Sequence, residues 1–438
     1  MSIKAVTIMA AAAFMLLTAI LLNNVDQLYF MGSVLLAVAI ISRLLVKFSL
    51  KGLQTERRVI DRVFEDEAVL VQLTLRNTSR FPKLSLIIQD QLSPWLEADN
   101  DGQAKFFIPI IWPGQQVELE YSCRATKRGR LTVGPMIVGA TDPIGMIYRD
   151  QLLTDSATAV VYPKPLNIPA HNLEGAAIFG GGVAERVTRA GDGLDFHGVR
   201  DYQPGDELRR IHWKAVARLQ RLAVIEFQQS YTADVAIALD LAQGTDIGAG
   251  RVTTLEYGVK IAASLARRAL DNGTCVTLAQ QGLGPHNLEL FTCHKPEQFY
   301  RLLEMLANAE ACAERSCRLL VQTLRGELTP GTAVVLITSD ADLGLVSLTK
   351  FLDAANISFH VVLLDSNSFL QSPAVDASPA SALPESFQSL LANSAKPKAT
   401  NIYHALADNL RDSGARVHLV RRGDDLVEAV RQVMGGVE

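Results

Sequence analysis

The hydrophobic positions of this chain change texture three times. Ala5 to Leu22 is an uninterrupted run of apolar or small residues of about the length that spans a bilayer, and Leu28–Ser42 with Leu44–Val46 forms a second, shorter run. The pattern predicts two transmembrane helices, at about 5–22 and 28–46, folded as a hairpin around the turn Asn23–Gln27. That turn holds Asp26 and no Lys or Arg, whereas Lys4 precedes the first run and Arg43, Lys47, Lys51, Arg57 and Arg58 follow the second. A bias of that kind places both ends in the cytoplasm. Lys4 and one apolar run also fit a signal peptide, yet no small-residue cleavage site follows Leu22 and a second run comes at once. The expectation is a multi-pass inner-membrane anchor (residues 1–51) with the bulk of the chain in the cytoplasm.

From about Glu56 to Pro165 the period becomes two, in "AVLVQLTLRN", "LSLIIQDQL", "KFFIPIIW", "VELEYSCRAT", "LTVGPMIVGATD" and "ATAVVYP". Turn residues at "NTSRFP", "ADNDGQ" and "WPGQQ" separate the runs, which predicts an antiparallel β-sandwich over 52–165 resembling the immunoglobulin class, with a smaller β-barrel as the other solution. After a linker and charged segment at 166–230, the texture from 231 to 438 alternates short apolar runs with helical spacing. "ADVAIALDL", "CVTLAQQ", "TAVVLITSD", "ISFHVVLLD" and "ARVHLV" read as strands. Leu255, Val259, Ala262, Ala266 and Leu270 recur on one helix face that stops at Asn272-Gly273, and further helices are expected at "PEQFYRLLEMLANAE", Leu343–Ala355, Ile402–Arg411 and Asp424–Met434. Continuous apolar strands between amphipathic helices predict a doubly wound α/β domain with a parallel sheet covered on both faces. "LAVIEF" (Leu222–Phe227) is expected to join that sheet at its edge, and the Ser-, Ala- and Pro-rich stretch at about 366–400 to be a mobile insertion on its rim.

Composition narrows the picture little. The net charge of −4 mixes both signs and gives no footprint for nucleic acid. Five cysteines, odd in number and without metal-ligand pairing, read as reduced thiols of a cytosolic compartment. "FGGG" (Phe179–Gly182) lacks the Lys-Ser/Thr ending of a phosphate-cradling loop, so no nucleotide chemistry is expected of this chain itself.

Two acids end strands where an open α/β sheet places its ligands, Asp240 and Asp340. "ADVAIALDLAQGTD" with "VVLITSD" resembles the von Willebrand factor A fold, whose first strand ends in Asp-x-Ser-x-Ser and which binds a divalent cation with a later aspartate. That resemblance makes Asp240 and Asp340 a degenerate metal site, because Ala242 and Gly244 stand where the serine hydroxyls belong. Magnesium wants six oxygens, so no cofactor is expected beyond weak Mg binding, unless Thr245 and Asp246 compensate. The other reading has Asp240 orienting loop backbone or capping a helix.

The densest chemistry lies in "GDGLDFHGVRDYQPGDELRRIHWKA", residues 191–215. Pro204-Gly205 turns the chain into a predicted helix with Asp206 and Glu207 first, basic residues later, and an apolar stripe of Leu208, Ile211, Ala215 and Leu219. Three readings stand. Asp192, Asp195, Arg200, Asp201 and Arg209 close into an ion-pair network that doubles as a docking face; Asp195, His197, Asp201 and His212 serve a divalent-metal hydrolase; or the basic helix face, with Arg209, Arg210, Lys214, Arg218 and Arg221, binds phosphate or anionic lipid. No constrained metal or nucleophile motif supports the second, and Trp213 is expected in the core. This segment, with "KRGRLTVGP" and "DPIGM" (Asp142–Met146) before it, resembles a bacterial family known as domain of unknown function number fifty-eight. The resemblance implies a membrane-anchored partner of a MoxR-type AAA+ ATPase, in some cases associated with transglutaminase-like membrane proteins; with no nucleophile or constrained metal motif in the segment, a non-enzymatic adaptor or assembly factor is the expectation.

Overall fold

A computed structural model of the chain describes residues 3–21, 26–59, 62–99, 104–168, 190–201, 212–219, 221–228, 234–282, 288–314, 316–329, 331–370 and 400–435. It divides into two compact units, Met1–Pro163 and Lys164–Glu438.

The first unit begins with helices α1 (Ile3–Leu21) and α2 (Asp26–Leu50). Among the described residues α2 is the one helix long and apolar enough to cross a membrane, and Val6–Leu21 is a shorter apolar helix. The two lie against each other at Gly32, where a Cβ would stand 2.8 Å from Leu16 Cγ. Small residues permit such approach. α2 continues to Leu50 rather than ending at 46, because its last turn packs on protein. Val46 joins the sandwich core, the Phe48 ring lies 5.0 Å from that of Phe81, and Ser49 Oγ accepts the Leu84 N–H at 3.1 Å.

Among the described residues ten strands follow: β1 (Leu53–Val59), β2 (Arg62–Phe64), β3 (Ala68–Asn77), β4 (Lys83–Leu92), β5 (Leu96–Ala98), β6 (Ala104–Ile111), β7 (Gln116–Ala125), β8 (Gly129–Thr141), β9 (Tyr148–Leu153) and β10 (Ala157–Tyr162). One sheet runs β1-β3-β7-β5, the other β2-β10-β8-β4-β6 with β9 on β8. Alternation along β3 puts Val69, Val71, Leu73 and Leu75 inward against Leu86, Ile88, Val133 and Val138 of the facing sheet, giving one core between two layers. The pairing is antiparallel as expected, except that β2 and β10 are parallel. β1 and β2 are consecutive in the chain yet belong to different sheets.

A buried polar network ties the sheets. Arg57 on β1 pairs with Asp90 on β4 at 2.6 Å and donates to the carbonyls of Val133 and Asp155, while Tyr121 on β7 donates to the second Asp90 oxygen. Gly134 is needed there, since its φ is +102° and a Cβ would collide with Arg57 Nη1.

The second unit holds a two-stranded ribbon and a six-stranded sheet. β11 (Ala190–Asp201) and β12 (Ala223–Gln228) pair antiparallel, with α3 (Trp213–Leu219) between them in sequence. Two expectations are corrected here. The end of the supposed linker is a strand, and "LAVIEF" pairs with that strand instead of joining the large sheet, because β11 supplies its ladder partner.

The large sheet is built from β13 (Val235–Leu239), β16 (Val276–Gln281), β17 (Leu288–Cys293), β18 (Ala333–Thr338), β19 (Ser358–Leu364) and β20 (Arg416–Val420), in the order β17-β16-β13-β18-β19-β20. The minor pair β14 (Gly248–Ala249) and β15 (Val252–Thr253) lies in the loop after β13. Five strands are parallel as predicted, and β17, an edge strand the alternation did not reveal, is antiparallel to β16.

Every residue of β13 and β18 is buried, as continuous apolar runs require. One face packs on α6 (Cys317–Leu324), α7 (Leu345–Asp353) and α9 (Thr400–Asp412) through Leu320, Leu348 and Leu406. α4 (Thr254–Asp271) covers the opposite face: a Cβ on its Gly258 would lie 3.2 Å from Ile337 of β18. α5 (Phe299–Ala307) and α10 (Leu426–Gly435) complete the set. α4 starts at the Thr253 cap, and it stops at Asn272-Gly273 as the sequence indicates. The stretch expected to be mobile from 366 begins instead with α8 (Ser366–Leu370), because Phe369 is buried edge-on to Tyr257, ring centroids 4.9 Å apart. Residues 371–399, and "FGGG", lie outside the described residues.

Candidate functional site

The strand order reverses between β13 and β18, and that switch point is where the two acids meet. β13 delivers Asp240 at its carboxyl end, and β18 delivers Thr338, Ser339 and Asp340. Asp240 is 4 % exposed. One of its carboxylate oxygens accepts the Ala242 N–H at 3.0 Å, and the other accepts the Thr338 hydroxyl at 2.6 Å. The loop beyond is held by its own chain: Thr245 Oγ1 donates to Ala242 O at 2.7 Å, Ser339 Oγ to Thr245 O at 2.7 Å, and Gln281 Oε1 accepts the Leu241 N–H at 2.6 Å. Tyr403, from α9, donates to Ser339 O at 2.9 Å. A small cleft opens here, lined by Asp240, Thr245, Thr254, Gly258 and Ser339.

Burial pushes the Asp240 carboxyl above the ordinary range, and the charge of Asp340 pushes the same way, against the Thr338 and Ala242 hydrogen bonds. Asp340 is raised too, by burial and then by Asp342. An acid in this condition resists ionisation. A divalent cation would reverse that, but the donor set falls short of a cage. Ala242 and Gly244 offer no side-chain oxygen, the Thr245 hydroxyl is spent on the loop, and Asp246 is exposed. No group of three His, Cys, Asp or Glu suited to a metal occurs among the described residues. Asp240 thus does what the second reading of the sequence expected of it and orients loop backbone.

The neighbouring strand ends carry partners that sequence reading did not single out. Asp365 ends β19 buried, 3.5 Å from Arg421 Nε at the end of β20. Tyr403 meets Ser366 through its hydroxyl. The only signal for these was an acid or serine closing each apolar run; the Tyr403 contact had none. Elsewhere, Cys275 Sγ lies 3.2 Å from His294 Nδ1, but burial pushes that thiol up to about 11, which keeps it protonated at neutral pH.

The charged segment is described in part. Asp192, Asp195, His197, Arg200 and Asp201 lie on β11, with Asp195 opposite Gln228, Arg200 opposite Val224 and Asp201 opposite Ala223. Asp206, Arg209 and Arg210, with the predicted helix start, lie outside the described residues. His212 is half-buried just before α3, and Lys214 is exposed. Trp213 is 67 % exposed, which corrects its expected place in the core. On a seven-residue helix it stands at the first position, where its ring faces solvent.

Residues 198–341, from β11 through Asp240 to just past Asp340, match the family described as "Protein of unknown function DUF58". The uncharacterized protein YeaD of Bacillus subtilis is 24 % identical over 288 residues, 65 % of this chain and 69 % of that protein. Among solved structures, the CARDB domain of the PF1109 protein of Pyrococcus furiosus is 12 % identical, with 25 % of this chain and 91 % of that one covered at a TM-score of 0.18. Trypsin-activated alpha-2-macroglobulin of Escherichia coli is 18 % identical, with 28 % and 9 % covered at 0.21. Neither likeness is close enough to bear on the fold. It is through the segment that joins its ribbon to its two strand-end aspartates, residues 198–341, that this chain matches the DUF58 family.

Proposed function

We propose that this protein is a non-enzymatic adaptor or assembly factor anchored in the bacterial inner membrane. α1 and α2 form a two-pass hairpin with both ends in the cytoplasm, and the α/β unit is a von Willebrand factor A-like domain that offers its strand-end loops to a protein partner. The MoxR-type AAA+ ATPase implied by the sequence resemblance is the partner of choice, and any ATP chemistry is that partner's. The observation that carries the reading is the engagement of both Asp240 oxygens by the Ala242 amide and the Thr338 hydroxyl. A carboxylate spent on ordering its own loop favours a preformed surface over a metal centre.

Co-purification from solubilised membranes tests it, with Asp240→Ala and Arg209→Ala/Arg210→Ala as perturbed baits. An AAA+ ATPase recovered by the wild-type chain and lost from either variant supports the docking surface. Equal recovery of every partner by all baits overturns it. Stoichiometric Mg, Mn or Zn in the purified chain would move the reading toward a hydrolase of the Asp195, His197, Asp201 and His212 segment.

A further inference from the structure

We propose that the α2 end of the β-sandwich sits in the headgroup layer of the membrane that α2 enters, with Phe81, Trp112 and Ile144 as its insertion points. The proposal rests on the membrane-anchor reading and adds a second contact to it.

Three loops meet at that end. The β3–β4 loop is fastened to the exit of α2, since Thr78 N–H donates to Gly52 O at 2.9 Å and the Phe81 ring packs on Phe48. Asn77 Nδ2 bridges to the β6–β7 loop by donating to both Phe81 O and Ile111 O, at 2.9 and 3.1 Å. The β8–β9 turn projects from the same edge, because β8 pairs with β4 with Ala140 opposite Leu86, which leaves Thr141 and the turn after it toward Lys83. Lys83 is buried and donates to Phe48 O and Lys51 O, the last carbonyls of α2 and just beyond.

Each loop exposes one large apolar side chain at its tip: Phe81 at 54 %, Trp112 at 58 % and Ile144 at 62 %. Tyr148, where β9 begins, adds a fourth at 53 %. Ile144 is held out by a built turn rather than left there by chance. Gly145 N–H donates to Asp142 O at 2.9 Å, and the buried Asp142 carboxylate accepts the Ile147 N–H at 2.7 Å. Pro143 at the second position and Gly145 at φ +70° suit that turn, and Met146 points inward at 2 % exposure. This gives the "DPIGM" stretch a physical role.

The level is right for a bilayer. Phe48 follows Arg43 by about 7–8 Å of helix rise, and the polar layer beyond the hydrocarbon is about 5–8 Å thick per leaflet. Aromatic rings favour that layer, and the exposed Lys47, Lys51 and Arg80 around it suit anionic headgroups.

The full chain, reconstituted in phosphatidylcholine–phosphatidylglycerol vesicles with and without lipid brominated near the headgroup, provides the test. Trp95→Phe/Trp213→Phe leaves Trp112 as the reporter, Trp95→Phe/Trp112→Phe leaves Trp213, and the difference between wild type and Trp112→Phe repeats the measurement with Trp95 in place. Trp112 emission should fall by about half in brominated vesicles and resist aqueous iodide, as expected of an interfacial ring. If the chain floats with the vesicles while iodide quenches Trp112 and bromine does not, the seat is overturned and the anchor stands. Shielding from both quenchers points to a second copy or another protein on these loops and also overturns it. Release by alkaline carbonate removes the anchor reading, and this one with it.

Discussion

At the end of β13 a single carboxylate ties the loop that follows it to the end of β18. Asp240 accepts one amide and one hydroxyl hydrogen bond while buried beside Asp340. Because its folded pKa is raised, the charged form is the disfavoured one, and any stability it gives up is lost as pH rises from the unfolded carboxylate value through the folded one. Asp240→Asn should therefore hold or raise the melting temperature at pH 7. Asp240→Ala, which strands both donors, should cost about 1–3 kcal/mol by urea denaturation. His418 titrates with the opposite consequence. Burial, then Arg411 and Arg416, lower its pKa to about 4 from a solution value of 6.5. The unfolded chain takes up the proton first, so stability is full above pH 6.5 and falls as pH drops, by about 3 kcal/mol at pH 4. His418→Phe should flatten that limb of a pH–stability curve. Such residues could not be weighed from sequence: His418 reads as one polar position in "ARVHLV", and its stacking beside His360, 6.5 Å between ring centroids, comes from strand register.

Among elements, the alternating runs announced most strands because a half-buried strand must alternate and a doubly covered one must not. The exceptions have a common cause. β2 and β5 are three residues long, β1, β9 and β17 are largely polar or exposed edge strands, and β11 hides in a charged segment, so none carries a clear pattern of its own. The links between elements were less legible still. Arg57 sits among exposed polar neighbours in β1 and reads as one more surface or membrane-flanking base, yet its side chain is 1 % exposed and bridges the two sheets through Asp90. Asp90 itself is raised by burial against the lowering of Tyr121 and Arg57, so the pair is held in place more than it is welcome there. Asp90→Ala should cost about 3–5 kcal/mol by orphaning the guanidinium. Arg57→Met/Asp90→Leu should recover much of that loss in the same denaturation assay.

For the molecule as a whole, topology is the first thing to measure. Cys312 is exposed while Cys123, Cys293 and Cys317 are buried, so a membrane-impermeant thiol reagent reads out the side on which the α/β unit lies. Labelling of Cys312 in inside-out vesicles and its absence in right-side-out ones is the outcome expected of a cytoplasmic unit; the reverse pattern would invert the anchor. By itself the sequence determined the apolar N-terminal segment, the change from period-two strands to alternating strands and helices, and the position of Asp240 and Asp340 at strand ends. These are local consequences of burial, which leaves its period in the chain. Only the tertiary structure decided that Thr338 reaches Asp240, that Tyr403 reaches back to Ser339, and that Phe81, Trp112 and Ile144 share one end of the sandwich around α2. Each of these joins residues far apart in the chain, and hydrophobic periodicity records whether a residue is buried but not which distant partner buries it.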